Sequence, residues 1–133
     1  MAPDEGRQVR QPSSGPMIVL LVGLAGLAGV LARYGISSGF HGDVLPWVTV
    51  AINVAGSFAL GVLVSSHTFS PDVRTVAGVG FLGGFTTFST FSVQLFLDFE
   101  AGEPARALLY GTASVLLGLG AAAGGYYLGR AAF

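Results

Sequence analysis

The chain has 133 residues, of which 52% are hydrophobic and only 10% charged, and its formal net charge is -1. Soluble domains average about 25% charged residues, so this composition excludes an ordinary soluble domain. It contains no cysteine, which excludes disulfides and thiolate metal sites. Its arginines are scattered, so they give no support to nucleic-acid binding.

Four long uncharged runs decide the fold class. Each reaches the roughly 20 residues that a membrane helix requires. They predict an all-α integral membrane protein in which a four-helix domain over 17–130 follows a disordered polar tail over 1–16. The helices are predicted over about 17–36, 46–66, 73–97 and 105–129. The alternative for the tail and the first run is a cleaved signal peptide.

Small residues recur at spacings of three or four along these helices, and they predict close packing in lipid. The glycines concerned are Gly23, Gly26 and Gly29, the pair Gly80 and Gly84, and the pair Gly125 and Gly129. Before the third helix, Ser70-Pro71 predicts an N-cap followed by proline in the first turn.

The third helix carries the most unusual pattern. Phenylalanines at 85, 88 and 91 share one face, and hydroxyl side chains fill the positions between them. A lipid-facing helix has no need of so many hydroxyls, whereas a helix that lines a path for a small polar species does. The glycine pair Gly83-Gly84 predicts a break in this helix.

Arginine placement predicts the orientation only weakly. Four arginines (7, 10, 74 and 130) fall on the side of both termini, and two (33 and 106) fall on the other side. The positive-inside rule favours cytoplasmic termini, but a bias this small is compatible with insertion in both orientations. Four short helices are few to enclose a pore, so we expect an oligomer.

Three segments resemble the signatures of the Fluc (CrcB) family of fluoride channels. In helix 1 the segment is Gly29-Val30-Leu31-Ala32-Arg33-Tyr34. In helix 2, residues 49–61 resemble the family's T-x-x-x-N-x-x-G-S-F-x-x-G, and in helix 3, residues 80–91 resemble its G-F-x-G-G-F-T-T-F-S-T-F. The third match is the most specific, and helix 4 is matched only by its general character.

The resemblance implies an antiparallel, dual-topology dimer in the bacterial inner membrane that passively exports fluoride through two pores. It also implies a central structural Na⁺, held by the backbone carbonyls of Gly83 and Thr86. The partner subunit would be a second copy of this chain, or a paralogue in an obligate heterodimer.

The resemblance further assigns the pore residues, with Phe88 and Phe91 as the paired phenylalanines and Asn53 and Thr49 as polar pore residues of helix 2. Arg33 is expected to be mainly structural, near a vestibule. Fluoride must exchange its water for other donors, which an amide, a hydroxyl and the positive edges of phenyl rings supply. Further pore candidates are the hydroxyls of Thr87, Tyr110 and Ser114.

One position departs from the family pattern, because Gln94 stands where the family commonly has a glutamate.

Two alternatives to a channel remain. A small proton-coupled multidrug exporter needs a carboxylate at membrane depth, and every acidic residue is expected in the tail or in loops. A non-transporting scaffold would use Asn53 and the hydroxyls only as adhesive groups. No pattern supports an enzyme.

Overall fold

The structure, a computed structural model, describes residues 15–132, and these residues form helices and no strand. Four helical segments are long and apolar enough to cross a membrane: Pro16–Ser37, Gly42–Ser65, Pro71–Glu100 and Pro104–Ala132. The prediction of an all-α integral membrane protein with four spans is confirmed. The predicted tail lies outside the described residues except for Gly15 and Pro16, and Pro16 already belongs to the first helix.

The first two spans and the last are regular. Helix α1 is Pro16–Ser37, a short 3-10 turn Gly42–Val44 leads into helix α2, Leu45–Ser65, and the last helix is Pro104–Ala132. The third span is composite. It consists of helix α3, Pro71–Arg74, a π-helical segment, Thr75–Leu82, helix α4, Gly83–Phe85, and helix α5, Phe88–Glu100, so that the last helix is α6.

The ends of the third span follow local sequence rules. The Val73 N–H donates to the Ser70 hydroxyl at 3.3 Å, which confirms the predicted N-cap. At the other end, Gly102 adopts a φ of 77°, and its N–H donates to the Phe99 carbonyl. Helix α5 therefore continues past the predicted end at 97. Asp98 belongs to its last turn, so the expectation that all acidic residues lie in the tail or in loops was wrong.

Glycine contacts hold the spans together. A Cβ on Gly29 of α1 would collide with the carbonyl of Phe81 in the third span. Between α2 and α6, a Cβ on Gly125 would collide with the carbonyl of Phe58. The predicted packing role is confirmed at these positions, whereas a Cβ on Gly23 would meet nothing within 4 Å.

These contacts divide the chain into two parts. Helix α1 packs on the π-helical segment and α4, while α2 packs on α6, and α1 touches α2 only a little. The second span is the most central, because 39% of its most apolar stretch is buried inside the protein, compared with at most 11% in the other three spans. Most large apolar side chains of the other spans therefore face outward, as expected for helices in lipid.

Candidate functional site

The third span is interrupted at Thr86 and Thr87, whose backbones are extended. The sequence pattern predicted a break at Gly83-Gly84, but both glycines are helical, so the predicted position was wrong. Glycine permits a break without imposing one. Gly84 also packs so closely on the Gly26 carbonyl that no Cβ would fit there.

Asn53 of α2 closes the interruption. Its side-chain Nδ2 donates to the Thr87 carbonyl at 2.9 Å, and the Thr87 N–H donates to its Oδ1 at 2.8 Å. The Asn53 amide thus pairs with both the backbone N–H and the backbone carbonyl of Thr87. Backbone polar groups at membrane depth need such partners, because lipid offers none.

The interruption also leaves two backbone carbonyls without their helical partners. In a continuous α-helix the Thr87 N–H would bond to the Gly83 carbonyl, and the Thr90 N–H would bond to the Thr86 carbonyl. Here the Thr87 N–H is taken by Asn53, and the Thr90 N–H donates to the Thr87 hydroxyl at 3.2 Å as an N-cap contact. The oxygens of Gly83 and Thr86 are therefore free of their helical partners.

Arg33 satisfies a neighbouring carbonyl. Its Nε donates to the carbonyl of Gly84, at the end of α4, over 3.3 Å. This contact ties the end of α1 to the third span and agrees with the structural role expected for this arginine.

A cavity of about 270 Å³ lies beside the interruption. Its polar lining comes from Asn53, Ser57, Thr86 and Thr87. Phe88 also lines it and is 79% exposed.

Phe91 continues the aromatic path away from this cavity. The rings of Phe88 and Phe91 have centroids 5.8 Å apart, and Phe91 packs on Tyr110 of α6 at 5.2 Å. Tyr110 is almost completely buried and meets Trp47 edge-on at 6.2 Å. The two phenylalanines therefore have different surroundings, because Phe88 is exposed beside the cavity and Phe91 is packed against α6.

A second cavity, of about 250 Å³, lies between α1, α2 and α5. Its polar lining consists of Arg33, Tyr34, Ser37, Thr49, Thr90 and Gln94. The Tyr110 hydroxyl donates to Gln94 Oε1 at 2.9 Å, which links α6 to this side of α5.

Comparison with known proteins identifies the family. Residues 20–126 match the family described as CrcB-like protein, Camphor Resistance (CrcB). The chain belongs to the CrcB family. A Thermus thermophilus protein named fluoride-specific ion channel FluC is 42% identical over 118 residues, which are 84% of this chain and 93% of that relative.

Two further relatives of this CrcB-family chain bear similar names. The fluoride-specific ion channel FluC of Rhodospirillum centenum is 42% identical over 122 residues, covering 86% of this chain and 97% of the relative. The fluoride-specific ion channel FluC 2 of Nocardia farcinica is 43% identical over 127 residues, covering 85% and 90%. The predicted family is confirmed.

The CrcB-family chain brings most of the sequence-predicted residues into two neighbouring groups. Around the interruption lie Asn53, Gly83, Thr86, Thr87 and Phe88. On the other side lie Phe91, Tyr110, Thr49 and Arg33. Ser114 of α6 lines neither cavity, and its Oγ is buried without a hydrogen-bond partner in the described part of the chain.

The sequence analysis missed Ser57, which lines the first cavity, and the buried ion pair of Asp98. Ser57 lies one turn after Asn53 on α2, so helical spacing was the signal that points to it. Asp98 is buried and bonded to Arg106 of α6 at 2.6 Å, and Arg106 also reaches the exposed Asp43 at 2.7 Å. Asp98 is the one buried carboxylate in residues 15–132, and this pairing in the last turn of α5 does not fit the free carboxylate of a proton-coupled exporter.

Proposed function

We propose that this chain is a fluoride-selective channel that lets fluoride leave the bacterial cytoplasm passively across the inner membrane. The relatives described above are named for that activity, and their names describe ion channels rather than enzymes. The observation that carries the proposal is the interruption closed by Asn53. It sets an amide, free carbonyls and an exposed phenyl ring beside one cavity of an otherwise apolar domain.

The cavity offers the contacts that a small anion needs. Only one of the two amide hydrogens of Asn53 is used by the Thr87 carbonyl, so the second remains for an anion. Phe88 adds a ring edge of positive potential without a fixed charge. Because conduction requires binding that is weak and repeated over several sites, uncharged donors suit a channel better than an arginine at this point.

The remaining pore candidates act in two ways. The unpartnered hydroxyl of Ser114 is available as a donor. The hydroxyl protons of Thr49 and Thr87 are committed, because Thr49 donates to the Leu45 carbonyl at 3.3 Å and Thr87 donates to the Thr90 hydroxyl at 3.1 Å. These two threonines therefore contribute shape and dipoles.

We propose that the functional unit is an antiparallel dimer with two pores. The cavity beside Asn53 lies at the surface of the chain, and Phe88 is largely exposed there, so a single chain does not enclose a path. A second copy is the simplest partner. A paralogue is the alternative partner. The observation that supports it is the numbered name of the Nocardia farcinica relative, FluC 2.

We also propose a structural Na⁺ at the dimer interface. The backbone oxygens of Gly83 and Thr86 fit this ion, because hard cations prefer oxygen ligands and these two have lost their helical hydrogen bonds. The ion would supply a positive charge that offsets the field of passing anions. The thermal midpoint of the purified protein should rise with Na⁺ and not with an equal concentration of N-methyl-D-glucamine. Equal midpoints would contradict the site.

Growth in fluoride tests the proposed function. A bacterial strain without its own fluoride exporters should grow in fluoride when it expresses the chain, and should not grow with Phe88→Ile present at the same level in the membrane. Phe88 is mostly exposed, so this change should leave the fold intact. Failure to protect, both alone and together with a paralogue from the same genome, would contradict the proposal.

A further inference from the structure

We propose that an apolar groove between α2 and the third span holds an acyl tail of an anionic glycerophospholipid, and that Arg74 and Arg130 bind the phosphate of the same lipid. This groove is distinct from the two cavities described above and shares only Leu82 with the first of them. The inference does not depend on fluoride conduction, because it concerns a lipid rather than the permeating ion.

The lining of the groove is entirely apolar. Its volume is about 440 Å³, within the range of about 300–1,000 Å³ that is usual for ligand sites. One wall is formed by Phe58, Val62 and Leu63 of α2, and the other includes Ala77 and Phe81 of the third span. These side chains offer no hydrogen bond to water, to an ion or to a polar ligand, so the matching occupant is a hydrocarbon.

The groove fits within one leaflet of the bilayer. On α2, Phe58 is the lining residue farthest from the helix end at Ser65, and at 1.5 Å per residue the two lie about 10 Å apart along the axis. One leaflet contributes about 15 Å of hydrocarbon. A lipid tail that enters beside the end of α2 therefore fills the groove without crossing the middle of the membrane.

The groove faces away from the proposed dimer interface. Val62 follows Asn53 by nine residues, or two and a half helical turns, so the two side chains lie on opposite faces of α2. The cavity that we propose to face a second copy lies on the face of Asn53. Lipid, rather than the partner subunit, is therefore the expected neighbour of the groove.

Two arginines flank the end of α2 beside the groove. Arg74 donates from Nη2 to the carbonyl of Ser66, the residue that follows α2. Gly129 packs on the Val62 carbonyl so closely that no Cβ would fit, and Arg130 comes next in α6. Because Val62 lines the groove, both arginines lie at the end of α2 that adjoins it.

Both arginines are available to an anion. The ion pairs recorded within residues 15–132 all involve Arg106, so no carboxylate of this part of the chain neutralises Arg74 or Arg130. Arg130 is exposed, and its guanidinium carbon lies 5.9 Å from the centre of the Tyr126 ring. Exposed tyrosines are typical of the membrane–water interface, where lipid phosphates lie. A guanidinium group binds a phosphate through two parallel hydrogen bonds.

The distribution of charge also favours an anionic lipid at this end of the spans. Within residues 15–132, Asp72 is the one acidic residue at the end that carries Arg74 and Arg130. An anionic headgroup is therefore attracted to this end more than to the other. In the proposed antiparallel dimer, the two copies would place one such site in each leaflet. The opposite end has Arg33 and Arg106 against four acidic residues, Asp43, Asp98, Glu100 and Glu103.

Native mass spectrometry of the purified chain in detergent tests the headgroup site. Phosphatidylglycerol and phosphatidylcholine with the same acyl tails are added at equal concentration, so that only the headgroup differs. A basic residue near the membrane surface contributes about fivefold in affinity for an anionic lipid. The wild type should therefore retain phosphatidylglycerol at least about fivefold more than phosphatidylcholine.

Arg130→Gln should lower the retention of phosphatidylglycerol by about fivefold and leave that of phosphatidylcholine unchanged. Arg130 is exposed, so this change should leave the fold intact. Equal retention of the two lipids by the wild type, or an unchanged preference in Arg130→Gln, would overturn the proposal.

Ala77→Phe tests the acyl tail, because the added ring fills the groove. It should reduce the retention of both lipids, whereas Ala123→Phe, the same change at an exposed position of α6, should retain them as the wild type does. Equal retention by the two variants would mean that the headgroup binds without the groove and would overturn the assignment. Dissociation of a wild-type dimer by Ala77→Phe, but not by Ala123→Phe, would make the partner subunit the occupant and would also overturn it.

Discussion

Replacing Asn53 by alanine should destabilise the protein and stop conduction. The change removes both hydrogen bonds to Thr87, of 2.8 and 2.9 Å, and leaves its N–H and carbonyl without protein partners. A buried polar group left unpaired costs about 1–3 kcal/mol. Thr87 is only half-buried, so water in the cavity reduces this cost. We expect about 2–3 kcal/mol for the two groups together.

Two further variants sharpen this test. Asn53→Asp keeps an acceptor for the Thr87 N–H but turns a second acceptor toward the Thr87 carbonyl, so it should also lose stability and flux. Ser57→Ala is the matched stability control. It lies one turn away on α2 and lines the same cavity without a recorded bond to the interruption.

The assay is denaturant unfolding of the purified protein in detergent, paired with fluoride flux in liposomes. Ser57→Ala should unfold within about 0.5 kcal/mol of the wild type, as is usual for changes away from special contacts. The account would be refuted if Asn53→Ala unfolded together with Ser57→Ala and conducted fluoride at the wild-type rate.

Two other changes probe packing and the pore. Gly29→Ala should destabilise by about 1–3 kcal/mol, because the new methyl group would collide with the Phe81 carbonyl, whereas Gly23→Ala should be tolerated. Denaturant unfolding measures both, and equal stabilities would mean that α1 does not pack on the third span in this way. Phe88→Ile and Phe91→Ile should both abolish fluoride flux. Phe91→Ile should cost more stability, by about 0.5–1.5 kcal/mol, because it also loses the contact with the Tyr110 ring, whereas the only ring that the mostly exposed Phe88 contacts within the described residues is that of Phe91. Wild-type flux from both variants would remove the phenylalanines from the pore.

Hydropathy and local capping rules were enough to predict the spans and the N-cap at Ser70. These features depend on residues close together in the sequence, which is why the pattern carries them. The packing glycines were also predictable, since small residues at helical spacing allow membrane helices to approach each other closely. The family followed from the motif in the third helix.

The location of the interruption was not predictable from the glycines alone. It depends on a contact between Asn53 and Thr87, which lie 34 residues apart. Similarly, the burial of Asp98 in α5 depends on its ion pair with Arg106 in α6, and the chain turns between these two helices at Gly102. Such contacts between helices are not predictable from the residue pattern of a single helix. The orientation of the Gln94 amide likewise appears only once Tyr110 is placed against it.

Fluoride efflux from liposomes that contain this purified chain alone tests the central claim most directly. A fluoride electrode and a parallel chloride measurement would follow release from loaded vesicles. The account predicts rapid fluoride release without chloride release, which would also show that one kind of chain is sufficient. Equal release of chloride, or no fluoride release from the chain both alone and with a co-expressed paralogue, would contradict it.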